Sequence, residues 1–384
     1  MPPPAPAARA APAAPSGRVP RRRFMQGLLP LAPAIVVAGS GCSGRQAGAA
    51  RATPAPAAPP GAGSAPPAAQ PSGAASPLTG QAVDDPARVR RRIVAVKIDN
   101  APLARPQLGL GAAEVVYEQL AEGGTTRFLA MFLADEPERV GPVRSARLTD
   151  IYLGQEWDFL LAYAGAGRTT SRLLEEALIP LFKAPELGER LEGTPYARDP
   201  GRPVPHNLFV RIAEVRAAAR GVPGVAPEAE IRPFPFQPPP AAGPLRTLSV
   251  PYRPPGPANL RFAVTWQYDA EAGVWQRLMG GAPHVDALSG RPIQVENVLV
   301  QYAEIFTAQN VEPDSAGNPV LDAVLRGENR ARLFHSGHLF EGTWAKEHDR
   351  AKTRYLLDSG APLPFRPGRV WIHLVPTDFP ATWG

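Results

Sequence analysis

The sequence predicts a mixed fold, α/β passing into α+β: an N-terminal layered α/β domain followed by a mainly antiparallel β domain. Three observations carry that expectation. Between residues 93 and 178, apolar runs of strand length are interleaved with stretches of helical spacing. From Leu260 onward the pattern changes to strict two-residue alternation. Pro- and Gly-dense stretches bound both regions.

In order along the chain, Ile93-Val94-Ala95-Val96-Lys97-Ile98 reads as a buried strand ending at Asp99-Asn100. Residues 115–117, 127–133 and 159–163 read as three more strands. Helices are expected around 146–156 and over 170–178, where leucines recur at helical spacing. Residues 77–237 form this first domain, and 238–258 read as a Pro-rich linker. In the second domain, 259–384, Leu260, Phe262, Val264, Trp266 and Tyr268 alternate with polar or small residues. Ala270-Glu271-Ala272-Gly273 turns the chain into Val274-Trp275-Gln276-Arg277-Leu278, a hairpin. Residues 298–302, 332–334, 353–357 and 370–375 continue as strands, in a β domain expected to pack on the first.

The N-terminal residues 1–42 are of another kind. Arg21-Arg22-Arg23-Phe24-Met25 precedes an apolar stretch over 27–39 and then Gly39-Ser40-Gly41-Cys42. That is the pattern of a twin-arginine export signal ending in a lipid-accepting cysteine. The apolar stretch is shorter than the ~20 residues needed to span a bilayer, so it reads as a cleaved signal. Cys42 is the chain's one cysteine; it has no partner for an internal disulfide, and acylation accounts for it. The chain is therefore expected to be exported and anchored to the outer face of the cytoplasmic membrane through a lipid on Cys42. Residues 43–76 hold nothing larger and apolar than alanine and read as a disordered tether, reaching up to ~100 Å.

The formal charge of +6 suggests an anionic partner, but five arginines precede Cys42 with no acid among them, leaving +1 for the remainder. The basicity belongs to targeting, and a nucleic-acid partner is excluded for want of a basic stripe. The sequence also lacks a nucleophile elbow, a phosphate-binding loop and a dinucleotide fingerprint.

The successive motifs Pro77-Leu78-Thr79-Gly80, Val96-Lys97-Ile98-Asp99-Asn100, Arg105-Pro106-Gln107, Glu114-Val115-Val116-Tyr117-Glu118, Glu122-Gly123-Gly124-Thr125-Thr126-Arg127-Phe128 and Gly141-Pro142-Val143-Arg144-Ser145-Ala146-Arg147 resemble the YerB-type lipoprotein family. The resemblance covers residues 77–384 and implies two paired domains of unknown function. His206-Asn207, His284, Asp286 and Asn297 also fall on its motifs.

Candidate chemistry centres on Arg144 and Arg147. At a strand-to-helix junction, three apart, they are expected on one side of a first helical turn, where guanidinium and free amides suit a phosphate or carboxylate. Asp99, Asn100, Arg105, Glu118, Glu122, Arg127, Asp150, His206 and Asn207 are expected around them, at strand ends where α/β sheets bind ligands. The ligand would be an anionic cell-wall glycopolymer or polyprenyl phosphate; a salt-bridge network fixing the fold is the competing reading. The order of elements also resembles the LytR-CpsA-Psr phosphotransferases, which would make Arg144 and Arg147 pyrophosphate ligands and Asp99 the ligand of a divalent cation. Glu118 and Glu122 permit a glycan-hydrolase pair, although on a strand they would lie roughly 13 Å apart. His335 and His338, with Glu341 and His348, read as exposed turn histidines or a metal cluster. No other cofactor is implied.

Overall fold

The computed structural model describes residues 74–252 and 262–384. The export signal, Cys42, most of the tether and residues 253–261 lie outside the described residues. Among the described residues, no helix is long and apolar enough to cross a membrane.

The centre of the molecule is a ten-stranded sheet. Its N-terminal strands are β1 (Val94–Asp99), β2 (Val115–Leu120), β3 (Thr126–Phe132), β4 (Leu160–Tyr163) and β5 (Leu181–Lys183). A second, six-stranded sheet includes β6 (Thr247–Pro251), β7 (Ala263–Asp269) and β8 (Val274–Met279). The large sheet then receives β9 (Asn297–Ala303), β10 (Gly327–His335), β11 (His338–Lys346), β12 (Arg354–Leu356) and β13 (Val370–Pro376). Its order is β12-β11-β10-β9-β13-β2-β3-β1-β4-β5. β1 is buried at every position, as a central strand covered on both faces must be. On one face Val94, Val96 and Ile98 pack with the second sheet and with α3 (Ile212–Ala219). On the other, Ile93 and Ala95 pack with α1 (Leu148–Trp157) and α2 (Arg168–Glu176).

Two expectations are corrected. The regions read as an α/β domain and a β domain packed on it share one sheet, because β13 lies between β9 and β2, parallel to both. Val370-Trp371-Ile372-His373-Leu374-Val375 is fully buried; such a strand requires neighbours at both edges and layers on both faces. Second, part of the expected linker is strand: Leu248 and Val250 of β6 are 0 % exposed while Thr247 and Ser249, which alternate with them, are not buried. At the other end, Ala74–Ala75 of the expected tether already pairs with Ala82–Val83.

Between the two sheets runs a closed ring of buried polar groups. Arg277 of β8 donates from Nη2 to both carboxylate oxygens of Glu118 on β2, at 3.0 and 2.9 Å. Glu118 Oε1 also accepts from Thr126 Oγ1 at 3.0 Å, which accepts from Asn100 Nδ2 at 2.7 Å. Asn100 Oδ1 accepts from Gln107 Nε2 at 3.3 Å, and Gln107 Oε1 lies 2.7 Å from His284 Nε2. His284 Nδ1 in turn faces Arg277 Nη1, closing the circuit. Donors and acceptors alternate around the ring only if His284 is neutral with its proton on Nε2. Burial, with Arg277 alongside, holds His284 well below the usual imidazole range. Trp371 Nε1 donates to Glu118 Oε2 at 3.1 Å, and the Arg277 guanidinium lies 4.8 Å from the Trp371 ring centre. Trp266 Nε1 donates to His373 Nε2 at 2.9 Å, leaving the proton of a neutral His373 on Nδ1, toward Tyr252 and Glu118.

Glu118 and Arg277 are both 0 % exposed, so removing either leaves an uncompensated buried charge. Arg277→Ala is expected to cost about 3–5 kcal/mol in urea unfolding. A loss below about 1 kcal/mol, the scale of exposed pairs, would contradict this account of the ring.

Candidate arginine site

β1, β2, β4, β5, β9 and β13 all run in one direction, so their carboxyl ends share an edge. Asp99 ends β1, Glu122 follows β2, and Arg127 opens β3 opposite Asp99. The segment 144–147 crosses this edge before α1 begins. Arg144 N donates to Lys97 O at 2.8 Å, and Ala164 N donates to Arg144 O at 2.9 Å, tying it to β1 and to the end of β4.

The expected first helical turn is thereby corrected. Arg147 is the extended N-cap of α1, and Arg144 lies three residues upstream, outside the helix. Each guanidinium is clasped by its own carboxylate. Arg144 Nε lies 3.0 Å from Asp99 Oδ2, and Arg147 Nε donates to Glu122 Oε2 at 2.8 Å. Both acids are nearly enclosed, at 6 % and 2 % side-chain exposure. Asp99 Oδ2 also lies 2.7 Å from His206 Nδ1, and its Oδ1 accepts from Ala101 N at 2.9 Å. A divalent cation at Asp99 would have to displace Arg144 and His206. Among the described residues, no three His, Cys, Asp or Glu side chains are grouped as metal ligands.

Arg127 stands between these pairs and donates to Ser145 O at 3.0 Å. Burial, with Arg147 and then Arg144 adding repulsion against Glu122 and Asp99, pulls it down to about 9. Three guanidiniums thus share two carboxylates, an excess of one positive charge. Arg144 is the more open of the two clasped arginines, at 28 % side-chain exposure against 12 % for Arg147. Its Nε, although ion-paired with Asp99, makes no hydrogen bond among the described residues. Nearby, Glu312 accepts from Thr169 N at 2.7 Å and Thr169 Oγ1 at 2.6 Å, at the start of α2. Those bonds, the hydroxyl's first, hold its carboxyl down to about 2.

The other expected site residues divide. Asn100 and Glu118 belong to the buried ring, and Arg105 holds Asn100 through Nε to Oδ1 at 3.1 Å. Asp150 is enclosed with Lys97, Nζ to Oδ1 2.7 Å, both 0 % exposed. His206 borders the arginines, whereas Asn207 turns away and accepts from Arg198 at 2.9 Å. Glu118 and Glu122 face separate arginines in separate surroundings, which removes the basis for reading them as a hydrolase pair. His335 is not an exposed turn histidine: it is 1 % exposed and stacks on Phe340. Ser336 and Gly337, both at positive φ, form the turn itself. Asp286 fixes its loop, accepting from Gly111 N and Leu288 N at 2.8 Å each.

Sequence reasoning missed Lys97, Arg277 and His373 as buried polar groups. Strand parity could have found Arg277, since Trp275, Arg277 and Met279 occupy one buried face of β8.

Residues 78–223 match the N-terminal domain, and 257–372 the C-terminal domain, of the protein family of unknown function DUF3048. The chain is 32 % identical over 303 residues to the Bacillus subtilis (strain 168) protein named Putative lipoprotein YerB, covering 78 % of this chain and 86 % of that one. It is also similar to the crystal structure of the YerB protein from Bacillus subtilis, with a TM-score of 0.69 at 30 % identity. That match covers 80 % of this chain and 99 % of the other.

The two clasped arginines should differ in unfolding experiments. Arg147→Ala leaves a buried carboxylate unpaired and is expected to cost about 3 kcal/mol. Arg144→Ala leaves Asp99 with His206 and should cost under about 1 kcal/mol. Equal losses in urea titrations would contradict this assignment.

Proposed function

The chain belongs to the YerB-like family, whose halves are the two DUF3048 domains, and on that premise we propose that it is an exported lipoprotein, held at the outer face of the cytoplasmic membrane by a lipid on Cys42, which binds an anionic envelope ligand beside Arg144. The address is supported by the signal-like pattern ending at Cys42 and by the lipoprotein designation of the relative. The ligand reading is supported by one observation above the others: the Arg144 guanidinium is partly exposed, and its Nε, 3.0 Å from Asp99 Oδ2, makes no hydrogen bond among the described residues.

Clasping narrows the chemistry. Asp99, itself held by His206, pairs with Arg144 on the Nε side, which leaves the opposite edge of the guanidinium for a planar, two-point acceptor. The excess charge shared with Arg127 and Arg147 adds attraction for a phosphate or carboxylate. A cell-wall glycopolymer phosphate and a polyprenyl phosphate present the same group. The phosphotransferase reading has no observation of its own in its favour.

Losing one charge-assisted contact of this kind costs about 1.5–3 kcal/mol, a roughly ten- to hundredfold loss of affinity. Arg144→Ala should therefore weaken binding to vesicles carrying a polyprenyl pyrophosphate by that factor, in a folded protein, with affinity falling as salt rises. Unchanged binding in the variant would overturn the ligand site. Independently, Cys42→Ala should move the protein from the membrane to the soluble fraction; retention would overturn the lipid anchor.

A further inference from the structure

Away from the arginines, a cavity of 590 Å³ lies between the Pro-rich segment 232–235 and residues 347–356. Lys352 lines it, and also lines a 210 Å³ space beside α1. The Lys352 side chain is 13 % exposed, yet its Nζ is buried and makes no hydrogen bond among the described residues. The amine is set against the rings of Trp157 and Phe234, the latter centred 4.9 Å away.

The surrounding charges decide its state. The nearest carboxylate, Glu156 on α1, lies 3.7 Å from Nζ and is already occupied. It accepts from Lys346 Nζ and Thr353 N, each at 3.0 Å, and from Thr353 Oγ1 at 2.9 Å. Two ammonium groups thus face one buried carboxylate, and the one that donates nothing sheds its proton at least cost. The hydroxyls of Tyr117 and Tyr355 are pushed well above their ordinary range by burial and add no charge at neutral pH. Asp158 pairs with Arg92, and Glu347 pairs with Arg354 at 3.0 Å. Arg232 and Arg350 line the cavity without an ion pair among the described residues, and His348 and Glu230 complete the titratable groups that line the two spaces. Burial, against the pull of Glu156 and with Lys346 adding repulsion, brings Lys352 down to about 7.

We propose that this cavity is a second site, in which the Lys352 amine condenses with the aldehyde or ketone group of a small ligand that also carries an anionic group. The nitrogen lone pair forms a bond to the carbonyl carbon, giving a carbinolamine. Both N–H hydrogens then leave with the carbonyl oxygen as one water, and the C=N bond remains. No oxidant or reductant enters. Phe234 and Tyr355 enclose the carbon skeleton, and Arg232 and Arg350 face the anionic group. Only lysine supplies such an amine, since arginine keeps its proton.

The sequence makes the test clean, because its lysines are only Lys97, Lys183, Lys346 and Lys352. Lys97 and Lys346 are enclosed in ion pairs, and Lys183 is 45 % exposed. The full chain is treated with glyoxylate and cyanoborohydride between pH 6 and 9, and modified lysines are mapped by mass spectrometry. At pH 7 an amine titrating near 7 is roughly a thousandfold richer in its neutral form than an ordinary lysine. Enclosure and lower basicity reduce that advantage, and Lys352 is expected to react about tenfold faster than Lys183. Its rate should level off near pH 8 while that of Lys183 keeps rising. Glycolaldehyde, which is neutral, should lose much of the preference, as should glyoxylate with Arg350→Ala. Equal or faster reaction at Lys183 would overturn the amine's role. A Lys352 preference identical for glyoxylate and glycolaldehyde would overturn the anionic ligand class.

Discussion

The structure depends on a buried ion pair that bridges two sheets. Glu118 and Arg277 come from segments 159 residues apart and are withdrawn from water together. Such a pair is tolerable only when further hydrogen bonds satisfy most of its remaining lone pairs and protons. Thr126, Trp371 and His284 supply those partners, and aromatic faces surround the guanidinium, whose Nε makes no hydrogen bond among the described residues. The consequence travels outward. Gln107, held by His284, donates to Asp99 O at 2.9 Å and so fixes the end of β1. Asp99 in turn holds Arg144. The orientation of a surface guanidinium is set by a polar ring in the interior.

Much of this was legible in the sequence. Apolar runs and alternation located most of the main strands, and the leucines of 170–178 located α2, because those patterns record burial on one or two faces. Edge-to-edge joining was not legible: the run Val370–Val375 states that β13 is covered on both faces but not by whom. Leu248 and Val250 alternate as a strand should, yet the surrounding prolines masked them. The site was legible as residues and not as geometry. Asp99, Arg127, Arg144, Arg147, Glu122 and His206 do meet, while Asn100, Glu118 and Asp150 turn inward, Glu118 to Arg277 159 residues away and Asp150 to Lys97. Sequence distance carries no information about which carboxylate clasps which arginine.

Two regions of differing chemistry follow. The strand-end cluster keeps its cations charged and partly neutralised, which suits reversible contact with phosphate or carboxylate. The Lys352 cavity keeps a nitrogen beside a carboxylate already occupied by Lys346 and Thr353, which suits covalent chemistry with a carbonyl.

The ring makes the two sheets one cooperative unit. Native-state hydrogen exchange measures this directly, by comparing amides of β8 in the second sheet with those of β2 and β13 in the first. A single opening free energy is expected for all three strands, equal to that of global unfolding. Opening of β8 at a free energy several kcal/mol lower, with β2 and β13 still protected, would contradict it.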